Sequence, residues 1–133
     1  MKRTALILIG ILLLFCSTAF AGLADKRAVA NGTGAMAFSL AAGQKGSRIT
    51  QIIVHTDSAV TAAESIVCQL NSSKGAGYDG GQVSSGSMAG ASDWIRNFGD
   101  QGGYIIHAGD SFDCSFTNTN TVHWYLTVSY VEE

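Results

Sequence analysis

Apolar and polar residues alternate along most of the chain beyond residue 34, which is the pattern of half-buried β-strands. The clearest case is the β-branched run RITQIIVHT over residues 48–56. Similar runs predict strands at 35–40, 65–70, 93–98, 103–107, 111–117 and 122–131. No segment in this part of the sequence shows a convincing helical period. The pattern therefore predicts an all-β protein of seven or eight short antiparallel strands, each with one buried side.

Clusters of Gly, Asn, Asp and Ser separate the apolar runs, as at residues 41–46 and 118–120, and these residue types favour turns. Two sheets packed face to face would bury the apolar sides, so we predict a jelly-roll or Greek-key β-sandwich over 35–133. Residues 22–34 are predicted to be a flexible arm or an edge strand. The Gly- and Ser-rich stretch from 71 to 91 is predicted to be a long ordered loop, which is often functional, or a weak hairpin.

The amino-terminal segment has the three parts of a secretory signal peptide. Lys2 and Arg3 precede an apolar run over residues 5–15, and small residues follow at Ala19 and Ala21. The apolar run is shorter than the roughly 20 residues that span a bilayer. We therefore predict a signal peptide over residues 1–21, cleavage after Ala21, and a secreted or periplasmic product without a membrane anchor.

Charge is sparse, at 14% of residues, against about a quarter in typical domains. Cleavage would remove two of the eight basic residues and none of the ten acidic ones, leaving a formal charge of −4. This balance argues against binding to nucleic acid or anionic lipid. A polar but weakly charged surface favours contact with a protein or glycan surface. The chain also has no Pro, a common guard against strand-edge pairing, so a homo-oligomer is compatible with the sequence.

Two cysteines, Cys68 and Cys114, would remain after cleavage. Each lies in phase with the apolar residues two positions before and after it, so both sulfurs should point into the core. An even number of cysteines in an exported chain favours a disulfide, and a loop of this length would contribute about 4 kcal/mol on the loop-entropy model. We expect the bridge to join facing strands, with two free buried thiols as the alternative.

The sequence offers few residues that could together form a catalytic site. His107, Asp110 and His123 lie near strand ends and could form the metal site of a metal-dependent hydrolase, although their spacing supports this only weakly. No nucleophile motif accompanies them. The sequence therefore predicts a protein that is not an enzyme and needs no cofactor.

Calcium is a second ion that the loops could bind. Asp57 and Asp79 supply oxygen donors in Gly- or Ser-containing loops. The dense acidic spacing of an EF-hand loop is missing, however, and turn formation explains these residues without an ion.

Aromatic side chains outside the core are candidate ligand contacts. Tyr78 lies in the Gly/Ser stretch, Trp94 follows it, and Tyr104 is predicted on the side opposite the core. Exposed rings stack on sugars and also contact proteins, so these three could form a carbohydrate-binding platform. The alternative for Trp94 is that it closes one end of the sandwich.

Four motifs run through residues 49–130: I-x-x-I-x-V-H-x-D at 49–57, L-N-S-x-x-G-x-x-Y-D at 70–79, A-G-D-x-F at 108–112, and N-T-N-x-x-x-W-x-L-x-V at 118–128. In these the chain resembles small β-sandwich proteins of unassigned function from bacteriophage and environmental bacterial genomes. Some members of that group are suspected structural or decoration proteins, and the resemblance identifies no site residue. The sequence thus favours an exported, non-enzymatic structural, adhesion or particle-associated module over a carbohydrate-binding module, and favours both over a hydrolase.

Overall fold

A computed structural model describes residues 25–79 and 82–133, so the predicted signal peptide lies outside the described residues. Those residues form nine strands and two single-turn 3-10 segments, and none of their helices is long and apolar enough to cross a membrane. The strands are β1 (Lys26–Gly32), β2 (Met36–Ala41), β3 (Ser47–Thr56), β4 (Ser65–Asn71), β5 (Gln82–Ser87), β6 (Asp93–Asn97), β7 (Tyr104–Ile106), β8 (Ser111–Phe116) and β9 (Trp124–Glu132).

The strands form two antiparallel sheets that pack face to face. Sheet A has the order β1-β9-β3-β6, with β7 also paired to β3, and sheet B has the order β2-β8-β4-β5. β6 and β7 pair with different halves of β3. The two short strands therefore share one position in the sheet, and a 3-10 turn separates them along the chain. Each sheet is therefore four positions wide, and most connections cross between the sheets, as in a jelly roll. The predicted antiparallel sandwich is confirmed.

Two segments for which the sequence left alternatives open contain strands in the structure. Residues 26–32 form β1, which lies at the edge of sheet A beside β9. Within the Gly/Ser stretch, residues 82–87 form β5, which pairs with β4. The last strand begins at Trp124, two residues later than the predicted run, after Asn118 and Thr121 adopt left-handed backbone conformations with φ of 55° and 53°.

The core lies between the sheets and consists mainly of alternate strand residues. Its buried members include Ile66, Phe112, Phe116, Leu126 and Val128. In β3 the pairing register shifts between Ile49 and Gln51, which is the signature of a β-bulge. The shift lets Ile49 and Ile52, three positions apart, both face the interior.

Cys68 and Cys114 form the predicted disulfide, and both residues are buried. They lie directly opposite each other on β4 and β8, which are neighbours in sheet B. The expected bridge between strands that face each other from the two opposite sheets was therefore wrong, because β4 and β8 belong to the same sheet. Side-chain alternation fixes which way a cysteine points, but strand pairing decides which sheet it belongs to.

Candidate interaction surface

A row of apolar side chains crosses the outer face of sheet A. Val29, Thr127, Ile53 and Ile95 are direct cross-strand partners on β1, β9, β3 and β6. Val29 is 72% exposed and Ile95 is 56% exposed. Three of the four are Val or Ile and all are β-branched, which suits packing on a pleated surface. We call these four residues the apolar row.

A polar and aromatic row lies beside it, formed by Asn31, Tyr125, His55 and Asp93 in the same register. The ring of His123 stacks on that of Tyr125 with 4.6 Å between centroids, and Tyr125 remains 45% exposed. These rings give this end of the face a flat aromatic surface.

His55 and Asp93 form an exposed pair within that row. His55 Nδ1 lies 2.8 Å from Asp93 Oδ1, and Ser92 Oγ donates to Asp93 Oδ2 at 3.0 Å. The hydrogen bond with His55, followed by that from Ser92, holds the pKa of Asp93 below its ordinary value. The carboxylate therefore stays ionised at neutral pH, and Nε2 of His55 is the ring nitrogen left for another partner.

A polar hollow of about 400 Å³ borders the other side of the apolar row. Arg27, Gln51, Asn97 and Asp100 are among the residues that line it, and Gln51 Nε2 donates to Asn97 Oδ1 at 2.7 Å. The apolar row is thus flanked by hydrogen-bonding groups on both sides. An apolar centre with a polar rim is the usual anatomy of a protein interface.

The side chain of Trp94 does not lie on the outer face of sheet A. A Cβ built on Gly86 would lie 1.7 Å from Trp94 Nε1, so the indole ring covers Gly86 of β5 and bridges the edges of the two sheets. The ring is partly buried against the core. Trp94 is therefore a packing residue, as in the alternative prediction for it, but its ring covers the edge strands β5 and β6 and not an end of the sandwich.

Tyr104 is also packed rather than free. Its ring lies 6.2 Å, between centroids, from both Phe98 and Phe112, and burial, followed by the charge of Asp110, raises the pKa of its hydroxyl. The strand phase predicted here was wrong, because Ile105 is the outward residue of β7, at 47% exposure. The structure therefore does not assemble the predicted aromatic platform.

Tyr78 is the exposed member of the predicted platform, at 66%. It ends the 3-10 turn Ala76–Tyr78, and Lys74 Nζ lies 5.9 Å from the centre of its ring. This ring belongs to the loop that follows β4 in sheet B, so it does not continue the rows of sheet A.

Two of the three candidate metal ligands, Asp110 and His123, make other contacts. Asp110 Oδ1 accepts hydrogen bonds from Ser73 N–H at 2.9 Å, Ser73 Oγ at 3.0 Å and Ser72 Oγ at 3.3 Å. These bonds, the backbone one foremost, lower the pKa of Asp110 and outweigh the opposing effect of burial. Asp110 thus fastens the loop after β4 to the β7–β8 turn. His107 lies near it in the chain, whereas His123 stacks on Tyr125.

No group of three or more His, Cys, Asp or Glu side chains within residues 25–79 and 82–133 could hold a metal ion. The acidic loop residues proposed for calcium accept backbone hydrogen bonds. Asp79 Oδ1 accepts from Ser72 N–H at 2.7 Å, and Asp57 Oδ1 accepts from His123 N–H at 3.1 Å. These contacts account for both carboxylates as loop-fixing groups.

The outer face of sheet B has a different character. Asp113 at its centre accepts hydrogen bonds from Ser39 at 2.6 Å, Asn71 at 2.8 Å and Ser111 at 3.0 Å. Burial alone would raise the pKa of Asp113, but these three bonds lower it. The face is polar and made largely of small residues, with a shallow groove of about 270 Å³. The exposed large apolar residues of the strands lie on sheet A instead.

No protein-family model and no curated protein matches this chain. Among solved structures, the chain is similar to the crystal structure of the Yersinia pseudotuberculosis-derived mitogen. The two chains are 11% identical, and the match covers 83% of this chain and 86% of the mitogen, with a TM-score of 0.42. At this level the likeness carries no information about what this chain binds.

Proposed function

We propose that this chain is an exported, non-enzymatic module that acts by contact, in a structural, adhesion or particle-associated role. The observation that carries the proposal is the exposed apolar row on the outer face of sheet A. Val29 and Ile95 at the ends of the row are exposed, and Ile53 and Thr127 between them are half-buried. Single exposed apolar residues are common on soluble proteins, whereas exposed apolar residues that share one strip of a sheet face support a role in contact. Its polar flanks give the face the composition of a protein-binding surface.

Export to the periplasm or the cell exterior fits the covalent chemistry of the fold. The Cys68–Cys114 disulfide is a bond that persists in oxidising compartments and is rare in the cytosol. The signal-peptide pattern of residues 1–21 supports the same compartment.

The partner that fits this face best is another protein. The exposed residues of the apolar row, Val29 and Ile95, are aliphatic, and aliphatic side chains pack against apolar protein surface but offer no ring for sugar stacking. The sparse charge argues against nucleic acid or anionic lipid as partners.

Ile95 provides the sharpest test, because Ile105 offers a matched control. Both are exposed isoleucines on strands paired with β3, but Ile105 lies outside the apolar row. We expect Ile95→Lys to weaken retention of the purified protein on the envelope of the producing cell at least tenfold. Full burial of such a side chain is worth about 1.5–3 kcal/mol, and tenfold corresponds to about 1.4 kcal/mol.

Ile105→Lys should leave that retention unchanged. Equal retention of the two variants would contradict the assignment of the surface. A wild-type protein that binds neither the envelope nor any particle made by the cell would contradict the contact role itself.

Glycan binding is a second candidate, favoured by the exposed ring of Tyr125 stacked on His123. Because Trp94 and Tyr104 are packed inward, a sugar would have to stack on Tyr125 or on Tyr78. A glycan array comparing wild type with Tyr125→Ala and Tyr78→Ala tests this. A sugar bound by wild type, lost in one tyrosine variant and kept by Ile95→Lys would support glycan binding over protein binding.

A further inference from the structure

Four strand positions lie at sheet edges in the described part of the chain, and they differ in how well they could accept another strand. An edge strand presents unpaired N–H and C=O groups, which bulges, interruptions and charged side chains usually protect. The β4–β5 pairing shifts register between Cys68 and Gln69, and β6 and β7 are separated by a 3-10 turn. In contrast, β1 pairs with β9 over seven residues without any shift. It is one residue longer than β2, the other regular edge.

We propose that two copies of this protein pair antiparallel through β1, about a twofold axis at Val29. A twofold axis perpendicular to the sheet places one residue opposite its own symmetry mate and keeps the outer faces of both copies on the same side. Centring the axis on Val29 pairs all seven residues of β1. Sheet A then becomes continuous across eight strand positions. This inference goes beyond the proposed function, because the partner is a second copy of the chain.

The charges of β1 are compatible with this register. Lys26 and Arg27 both lie at one end of the strand. With the axis at Val29, Lys26 faces Gly32 of the second copy, and Arg27 faces Asn31 of the second copy. Like charges directly opposite each other destabilise a strand pair, and this register contains none. An axis at Arg27 would instead place two guanidinium groups face to face.

The pairing also extends the apolar row. Among residues 25–79 and 82–133, Val29 is the most exposed large apolar residue, at 72%, and in this register its side chain lies beside that of its symmetry mate. Cross-strand β-branched pairs stabilise antiparallel sheets. The two apolar rows then join end to end, so that Ile95 of one copy and Ile95 of the other mark the ends of one continuous strip.

Engineered cysteines test the register directly. The full chain is produced with its own amino-terminal segment in an oxidising, exporting host. We expect Val29→Cys to give a disulfide-linked dimer on a non-reducing gel, because paired residues lie within disulfide range. Asn31→Cys is the matched control, on the same face of the same strand. Its mates would be offset by four residues, about 13 Å along the strand, so cross-linking should be at least tenfold lower.

Charge changes at Asn31 test the same register without a covalent bond. Light scattering of wild type over a concentration series should show a dimer. Asn31→Arg places a positive charge opposite Arg27 and should raise the dissociation constant at least tenfold, whereas Asn31→Glu should lower it. Unchanged thermal melting shows that each variant folds. Wild type that is monomeric throughout, equal cross-linking of the two cysteine variants, or the same response to both charges would overturn the proposal.

Discussion

The contact between Gly86 and Trp94 can be tested by adding a single methyl group. A Cβ at position 86 would lie 1.7 Å from Nε1 and 2.2 Å from Cδ1 of Trp94, whereas unstrained contacts between heavy atoms are about 3.5–4.0 Å. The backbone at Gly86 is outside the left-handed region, so the methyl group itself causes no backbone strain. Gly86→Ala must therefore displace the indole ring by about 2 Å.

The expected loss follows from two opposing contributions. Overpacking of this kind costs about 1–3 kcal/mol, while Ala is favoured over Gly within a strand by about 0.5–1 kcal/mol. Together these ranges lower the free energy of unfolding by up to about 2.5 kcal/mol, with a central value of about 1 kcal/mol. For a domain of about 100 residues the central value corresponds to a melting temperature lower by roughly 5 °C.

Urea unfolding, followed by tryptophan fluorescence and circular dichroism, measures this difference. Gly34→Ala is the matched control, since a Cβ there meets nothing within 4 Å, and it should change the free energy of unfolding by less than about 0.5 kcal/mol. In a Trp94→Val background, Gly86→Ala should no longer destabilise the protein. If Gly86→Ala costs the same in both backgrounds, the indole contact is not the cause and the reasoning is wrong.

Three further outcomes are expected. Reduction of Cys68–Cys114, whose separation is 46 residues, should lower the free energy of unfolding by about 4 kcal/mol; a double Cys→Ala variant should not respond to the reductant in the same urea titration. The hydrogen bonds that depress the pKa of Asp110 stabilise the fold above its ordinary value of 3.8, and this stabilisation is lost as pH falls through the lower folded value. Asp110→Asn should flatten that acid decline in stability; parallel curves for Asp110→Asn and wild type would contradict this. Asn118 is 3% exposed and its amide donates to three backbone carbonyls. Asn118→Ala should cost about 2–3 kcal/mol in chemical denaturation, and Asn118→Gly, which tolerates φ of 55°, should cost less.

Local pattern predicted the strands well because one side of each is buried. It could not predict pairing, as the disulfide shows. The alternation around Cys68 and Cys114 correctly predicts inward sulfurs, but only the β4–β8 register places both cysteines in one sheet. The shortest strand shows a second limit. All three residues of β7, Tyr104, Ile105 and Ile106, are apolar, so alternation does not show which of them face the core. The packing of the Tyr104 ring near Phe98 and Phe112 decides this.

Only some residues of the candidate surface could be predicted from the sequence. Ile52, Ile53 and Val54 are three consecutive apolar residues in the clearest strand, which indicates that one of them must face outward. Ile95 gives the same indication, since it lies in the opposite phase to Trp94. Val29 carries no such signal, because its role depends on the register of β1 against β9, a contact between residues about a hundred positions apart.

The pairing of β1 with β9 also determines how the domain would respond to mechanical tension. Lys26 lies opposite Tyr130, and Lys26 also pairs with Glu132, so the two outer ends of these strands leave the fold side by side. A force pulling these ends apart would break the hydrogen bonds between β1 and β9 one residue pair at a time, because the load falls on the outermost pair. It would not load all of these hydrogen bonds together. The bridge between Cys68 and Cys114 would then limit the extension, because the chain between them cannot lengthen while the bridge is intact.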